Sequence, residues 1–367
     1  IFFGHIGDRK GRKVTMYASL LMMGISTSII GILPPAASAG VGVVIVLQLM
    51  RLAQCFGRGG TWGGGILMAY ENVPENKRSF YAAIPQIGLP IGFGLSSILI
   101  AVPTLLLPED IFFTWGWRIP FLAAIILTVI VIRQKGEMME TEDYKKAQAK
   151  LEAEEAEGKK HKVGFIPMVK GYWKTLLLGC GTRWVDGTFY NIFIVWILSY
   201  CINWLGMPLI QTYIITIIAC IFKIPFTLFG GWCAQKLGNT RTFVIGALAS
   251  AVLSIPTLKV IELSKGNLAI TIIGIVLGWS IAYNLIWAVI SSLWSSYFET
   301  EVRYSGISFV YHVPSFLVAG MVPTICTLLI NYGKGDTIYV GIYSTVVALI
   351  SAACALALKA RHDRGEK

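Results

Sequence analysis

The chain has 367 residues, of which 55% are hydrophobic and only 14% charged, where a soluble globular protein carries roughly 25% charge. The net charge of +11 does not mark a nucleic-acid-binding face, because the Lys and Arg residues sit in short clusters between long apolar runs. The seven cysteines are dispersed and form no CxxC pair, which excludes a zinc site or a disulfide framework as the organising feature.

In chain order, residues 1–6 read as the end of an apolar helix. The chain opens on Ile1-Phe2-Phe3 with no initiator Met and no signal peptide, so it reads as a fragment. A membrane crossing needs about 20 apolar residues. Complete spans are expected near 14–33, 41–70, 79–103, 115–132, 174–204, 209–233, 242–261, 268–297, 305–331 and 337–359. A single such run fits the core of a soluble protein. A series of them does not, because almost no polar surface would remain.

The connections alternate in charge. One side receives Arg9, Lys10, Arg12 and Lys13, then Lys77 and Arg78, then the stretch 133–174, then Lys236 and Arg241, then Arg303, then Lys359, Arg361, Arg364 and Lys367. The other receives Arg118, Lys265 and Lys334, with Lys259 near its boundary. That bias places the central loop and the C-terminus in the cytoplasm of a plasma-membrane protein. Residues 134–173 form the longest polar segment, and Glu137 to Lys162 has the Glu-to-Lys spacing of a solvated surface helix. It reads as a linker without a site of its own, separating an N-terminal helix bundle (1–133) from a C-terminal one (174–367).

An internal repeat supports two related halves. Gly4 to Lys13 (GHIGDRKGRK) and Gly231 to Gly238 (GWCAQKLG) occupy equivalent places between spans, with Gln235 standing where the first copy has Asp8.

The run Gly4 to Lys13 resembles the G-x-x-x-D-R-x-G-R-K loop signature of the major facilitator superfamily. The resemblance implies an all-α polytopic fold of two pseudo-symmetric six-helix bundles, here without the first span and most of the second. It also implies an inner gate built from Gly4, Asp8, Arg9, Gly11 and Arg12, joined by Glu71, Arg78 and Arg303. Glycines permit the tight turn and close helix approach, and Asp8 suits a neighbouring helix N-terminus. A narrower resemblance, to the metabolite:proton symporter branch, is carried by Arg51-Leu52-Ala53-Gln54, Gly59-Gly60-Thr61-Trp62-Gly63-Gly64, Glu71-Asn72-Val73-Pro74, Trp115 to Phe121 and Phe298 to Gly306. Thr61 replaces the Glu usual in that branch, and Cys55 a Gly.

Charged groups inside a bilayer are costly, about 2.5–3.5 kcal/mol at a helix centre, so those present are expected to face an interior cavity. Arg51, Gln54, Arg58 and Thr61 fall within about 80° on one helix face. Arg183, Asp186, Tyr190 and Asn191 share another, with Arg183 and Asp186 spaced to pair. Gln86, Lys223, Asn284, Tyr311 and His312 add polar groups. The expected substrate-binding set is Arg51, Gln54, Arg58, Gln86, Tyr190, Asn191 and Asn284. Asp186 is expected to carry a proton, linked to substrate occupancy through Arg183.

No Walker loop or nucleophile–base set is present, so the chain reads as a non-enzyme driven by a proton gradient, with no cofactor. The expected function is symport of a small organic solute with a proton by alternating access, in a monomer within the bilayer. A carboxylate is favoured because Arg51, Arg58, Arg183 and Lys223 outnumber Asp186. The alternatives are a proline or betaine symporter using Trp62, Trp184, Tyr190 and Trp287, a proton-driven exporter, or a non-transporting sensor.

Overall fold

The computed structural model describes residues 2–134, 140–156 and 165–366, and these contain helices and connections without a β-strand. The elements in chain order are α1 (Phe2–Lys10), α2 (Arg12–Ile32), α3 (Val41–Glu71), α4 (Glu75–Leu106) and α5 (Gly116–Arg133). After them come α6 (Glu142–Ala156), α7 (Met168–Asn203), α8 (Leu209–Leu237), α9 (Asn239–Leu263), α10 (Leu268–Ser295), α11 (Arg303–Tyr332) and α12 (Ile338–Asp363). Ten of these, all but α1 and α6, are long and apolar enough to cross a membrane.

Helices are what such sequences must form in hydrocarbon, where every backbone N–H and C=O needs a partner within the segment. The hydroxyls obey the same constraint. In α2 the side chains of Thr15, Ser19, Ser26, Thr27 and Ser28 each donate to the carbonyl four residues earlier. That bond hides a polar group against its own helix.

The helices before the linker pack largely on one another, α2 against α3 and α5. Those after it do likewise, α12 against α7 and α9. The glycines of α3 set the first packing distance. A methyl group at Gly57 would stand 2.9 Å from the Ser19 carbonyl and 2.8 Å from Met23, so α2 and α3 approach backbone to backbone. The two groups meet where α8 and α10 pack on α4, and where α1 and α3 pack on α11.

Three spans contain π-helical turns, and a 3-10 turn at Pro85–Ile87 interrupts α4. π-helical segments interrupt α7 at Ile192–Trp196, α10 at Val276–Ala282 and α11 at Phe316–Gly320. Each carries one extra residue per turn and so re-aims the side chains around it. Gly278 in the α10 segment lies against the ring of Phe193 in the α7 segment, so two of these irregular turns face each other.

The helix that leads into α7 begins at Phe165 and breaks from helical geometry at Tyr172, so the span expected near 174–204 follows that kink. Among the described residues the linker is helical over Glu142–Ala156, and both ends of the expected stretch from Glu137 to Lys162 lie outside the described residues.

Candidate functional site

The site is a stack of three layers along the seam between the two helix groups. The layer nearest the linker is ionic. Between α1 and α2 the chain turns at Gly11 with φ 102°, a backbone conformation open to glycine. That turn presents Asp8 to the start of α11, where its carboxylate accepts from the backbone N–H of Tyr304 (3.2 Å) and Ser305 (2.9 Å). Arg12 lies 3.3 Å from Asp8 and 3.4 Å from Glu71, is fully buried, and donates to the Thr300 carbonyl at 2.9 Å. Glu71 in turn receives Arg303 at 3.0 Å. Asp8–α11 and Glu71–Arg303 therefore both join the front helices to the back ones. Burial pushes the Asp8 carboxyl up to about 6, against the opposing pull of Arg12 and the two amides.

The linker belongs to this layer, contrary to its reading as a segment without a site. The Thr141 hydroxyl donates to Glu71 at 2.6 Å. Glu140 accepts from the backbone N–H groups of Arg12 and Lys13, at 2.9 and 3.2 Å, and so caps the start of α2. Asp143 pairs with Arg78 at 2.7 Å and lies 3.7 Å from Arg303. The Tyr144 ring lies 4.8 Å from the Arg12 guanidinium. Composition could not disclose this, because acids in a Glu/Lys-rich stretch look alike until the fold brings two of them, Glu140 and Asp143, to a helix start and to arginines.

The middle layer is aromatic. Trp62 of α3 stacks on Tyr311 of α11 with ring centroids 4.0 Å apart, and meets Trp294 edge-on at 5.8 Å. The Trp62 indole N–H donates to Gln86 at 3.2 Å. Gln86 donates to the Trp287 carbonyl (3.1 Å), and the Trp287 indole returns a bond to the Gln86 carbonyl (3.1 Å). Tyr304 donates its hydroxyl to the Gly60 carbonyl at 2.5 Å. With the ionic layer, these contacts close the seam at the linker end.

Above it, in the back group, lies a buried ion pair. Arg183 and Asp186, one helical turn apart on α7, are hydrogen-bonded to each other, and the Tyr283 hydroxyl of α10 donates to the second Asp186 oxygen. The Arg183 guanidinium lies 4.3 Å over the Tyr311 ring, which ties this cluster to the aromatic layer. Asp186 thus has both oxygens engaged while 1% exposed. Tyr283 was not singled out in the sequence. Its place beside Asn284 in an apolar span was the available signal.

The remaining expected residues are distributed more widely than a single cavity. Arg58 is exposed on α3. Arg51 is exposed in a groove of about 360 Å³ lined also by Leu33, Leu47, Trp117 and Phe121. Gln54 donates to Thr27 of α2 at 2.7 Å, and Asn191 to the Gly187 carbonyl of its own helix at 2.8 Å. Asn284 is fully buried and bonds the Lys223 carbonyl (2.7 Å) and Thr227 (3.0 Å), joining α10 to α8. Gly4 lets α1 approach α11, since a methyl group there would stand 3.0 Å from Ser305 Cα. The Arg9 side chain lies outside the described residues. Among the described residues no cluster of three or more His, Cys, Asp or Glu side chains is arranged to hold a metal ion.

The model of the Major Facilitator Superfamily matches residues 1–323. The inner membrane metabolite transport protein YhjE of Escherichia coli is 33% identical over 98% of this chain and 81% of its own length. The shikimate transporter of the same organism is 30% identical over 98% and 80%, and the proline/betaine transporter of Salmonella typhimurium 27% identical over 99% and 72%. Among solved structures, the proton:xylose symporter XylE superposes with a TM-score of 0.74 at 16% identity, over 96% of this chain and 80% of that one. The fucose:proton symporter FucP gives 0.68 at 13% identity, over 98% and 86%. At these identities the two structures establish the shared fold.

Proposed function

The chain belongs to the major facilitator superfamily, an integral membrane transporter and not an enzyme, and we propose that it moves a small organic solute together with a proton. The observation that carries this reading is the buried Arg183–Asp186–Tyr283 cluster. A carboxylate kept inside a membrane bundle is expensive and marks an ion or substrate pathway. Asp186 is the proton carrier in this reading. Arg183 is its partner, and Arg58, Gln86 and Tyr190 meet the solute from the seam. Arg51, Gln54, Asn191 and Asn284 join them as the bundles rearrange and their present bonds are exchanged.

The two bundles, 1–133 and 174–367, rock about this site, joined by the linker 134–173. The gate is the ionic layer of Gly4, Asp8, Arg9, Gly11, Arg12, Glu71, Arg78 and Arg303. The charge bias of the connections supports a cytoplasmic linker end in the plasma membrane, so the conformation described is closed toward the cytoplasm. The unit is a monomer, the energy source is the proton gradient, and no cofactor takes part.

A carboxylate is the favoured solute class. Arginine forks match both carboxylate oxygens, and a shikimate transporter is among the relatives. A second reading, a zwitterionic osmolyte, is favoured by the aromatic layer of Trp62, Trp287 and Tyr311, which suits a quaternary or secondary ammonium. It is also favoured by the proline/betaine relatives.

Uptake into proteoliposomes tests both. Labelled shikimate, 2-oxoglutarate, citrate, proline and betaine are offered with and without an inward proton gradient. Gradient-stimulated uptake of an acid that is lost in Asp186→Asn supports the first reading. Uptake of proline or betaine alone replaces it with the second. No uptake of any of them by folded protein would favour an exporter or a sensor.

A further inference from the structure

Lys223 of α8 is fully buried, and its Nζ has no hydrogen-bond partner among the described residues. It lies 4.5 Å from the ring centroid of Trp279 and 4.4 Å from that of Tyr283. Ring faces attract an ammonium but accept no hydrogen bond of ordinary strength, so all three N–H groups lack what water would give them.

The charges around it do not balance. Apart from Arg303 in the ionic layer, the buried charged side chains described in the back half are Arg183, Asp186 and Lys223. Asp186 is the carboxylate whose charge reaches Lys223, yet its two oxygens are already taken by Arg183 and Tyr283. Two cationic side chains share one acid. Thr227 and Asn284 bond the Lys223 backbone carbonyl and not its ammonium, and the α10 groups against the ammonium, Trp279 and Tyr283, are not anions.

A second donor is also orphaned here. The indole Nε1 of Trp279 is buried without a partner. Trp279 stands in the π-helical segment Val276–Ala282, which faces the π-helical segment of α7 through the Gly278–Phe193 contact. Irregular turns of this kind recur at functional sites because they shift by a residue at low cost.

We propose that Lys223, with the Trp279 indole N–H as second donor, anchors a carboxylate of the transported solute. The inference rests on the symport of an organic acid. The solute's carboxylate supplies both the missing acceptor and the missing negative charge. In its absence the two ring faces hold the ammonium in place. This subsite lies between α8 and α10 in the back half, distinct from the arginines of α3.

The test uses the full-length protein in proteoliposomes with labelled shikimate and 2-oxoglutarate as probes. The variants are Lys223→Met, Lys223→Arg and Trp279→Phe, with thermal unfolding as the folding control. Lys223→Met is expected to stay folded, since it replaces a partnerless charge by an apolar chain of similar length. Its KM for the acid rises about tenfold or more, in gradient-driven uptake and in gradient-free counterflow alike. Lys223→Arg recovers part of the loss, and Trp279→Phe raises KM by a smaller factor. An unchanged KM in Lys223→Met, while the wild type carries the acid, overturns the anchor and leaves the symporter reading intact. An unchanged counterflow KM with loss of gradient stimulation also overturns it, and makes Lys223 the proton carrier. A wild type that carries only proline or betaine overturns the acid reading and the anchor with it.

Discussion

Asp186 has one arginine and one tyrosine on its two oxygens, inside an apolar bundle. Removing one member of a buried pair is worse than removing both, because the survivor keeps its desolvation penalty without its partner. Asp186→Ala is therefore expected to destabilise the protein by about 3–5 kcal/mol in detergent unfolding. The double variant Arg183→Met/Asp186→Leu should recover most of that stability while leaving proton-driven uptake abolished. A double variant as unstable as Asp186→Ala would show that the pair is not the source of the loss.

Asp8 gives a pH dependence at the same scale. Its carboxyl, pushed up to about 6 by burial, holds a proton in the closed gate at a pH where a water-exposed carboxyl, with its ordinary value of 3.8, has lost it. The facing charges are Arg12 and, beyond it, Glu71. Because the closed form binds the extra proton, its advantage is full below about pH 4 and is lost as pH rises through about 6. Spin labels across the linker end should show the closed fraction falling between about pH 4 and pH 6, and Asp8→Asn should flatten that dependence.

Gly11 matters through the element it starts. Its φ of 102° and ψ of 154° fall in a region open to glycine alone, and a methyl group there would run into the Glu140 carboxylate that caps α2. Gly11→Ala should destabilise the closed gate by about 1–3 kcal/mol, seen as faster labelling of a cysteine placed in the α1–α2 turn. The same loop shows what the internal repeat means physically. Asp8 caps the start of α11, while Gln235, its counterpart in the second copy, accepts from the Phe80 N–H at 3.4 Å near the start of α4. The two halves use the same element in the same place, one with a charge and one with a neutral amide.

Glu71 receives Arg12, Arg303 and Thr141 and so joins front helices, back helices and linker, and in the proposed gate the closed state of the whole molecule depends on it. Glu71→Ala leaves two buried arginines short of an anion, a loss of about 3–5 kcal/mol to the closed form. That is enough to invert a closed-to-open preference of a hundredfold. Distance measurements across the linker end should then show predominantly open molecules, whereas unchanged distances would mean that the aromatic layer of Trp62, Gln86, Trp287 and Tyr311 suffices for closure.

The spans, their number and the turn at Gly11 were legible because they follow from constraints local to the chain. A crossing needs a length of apolar residues, and the turn at Gly11 needs glycine at a fixed place. Arg183 and Asp186 were legible as a pair for the same reason, being one turn apart. Angle on a helix says which residues share a face, but not what that face meets. Arg51, Gln54 and Arg58 share a stripe, yet Gln54 bonds to α2, Arg51 lies in an exposed groove, and Arg58 is exposed a helical turn or two further on. Residues far apart in sequence supply the rest: Tyr283 to Asp186, Glu140 and Thr141 to the gate, and Trp279 to Lys223. The membrane fold and the superfamily could be read along the chain, because hydrophobic length and turn chemistry are local properties. Which buried charges found partners could be read only in three dimensions, because a counter-charge is chosen by proximity in space.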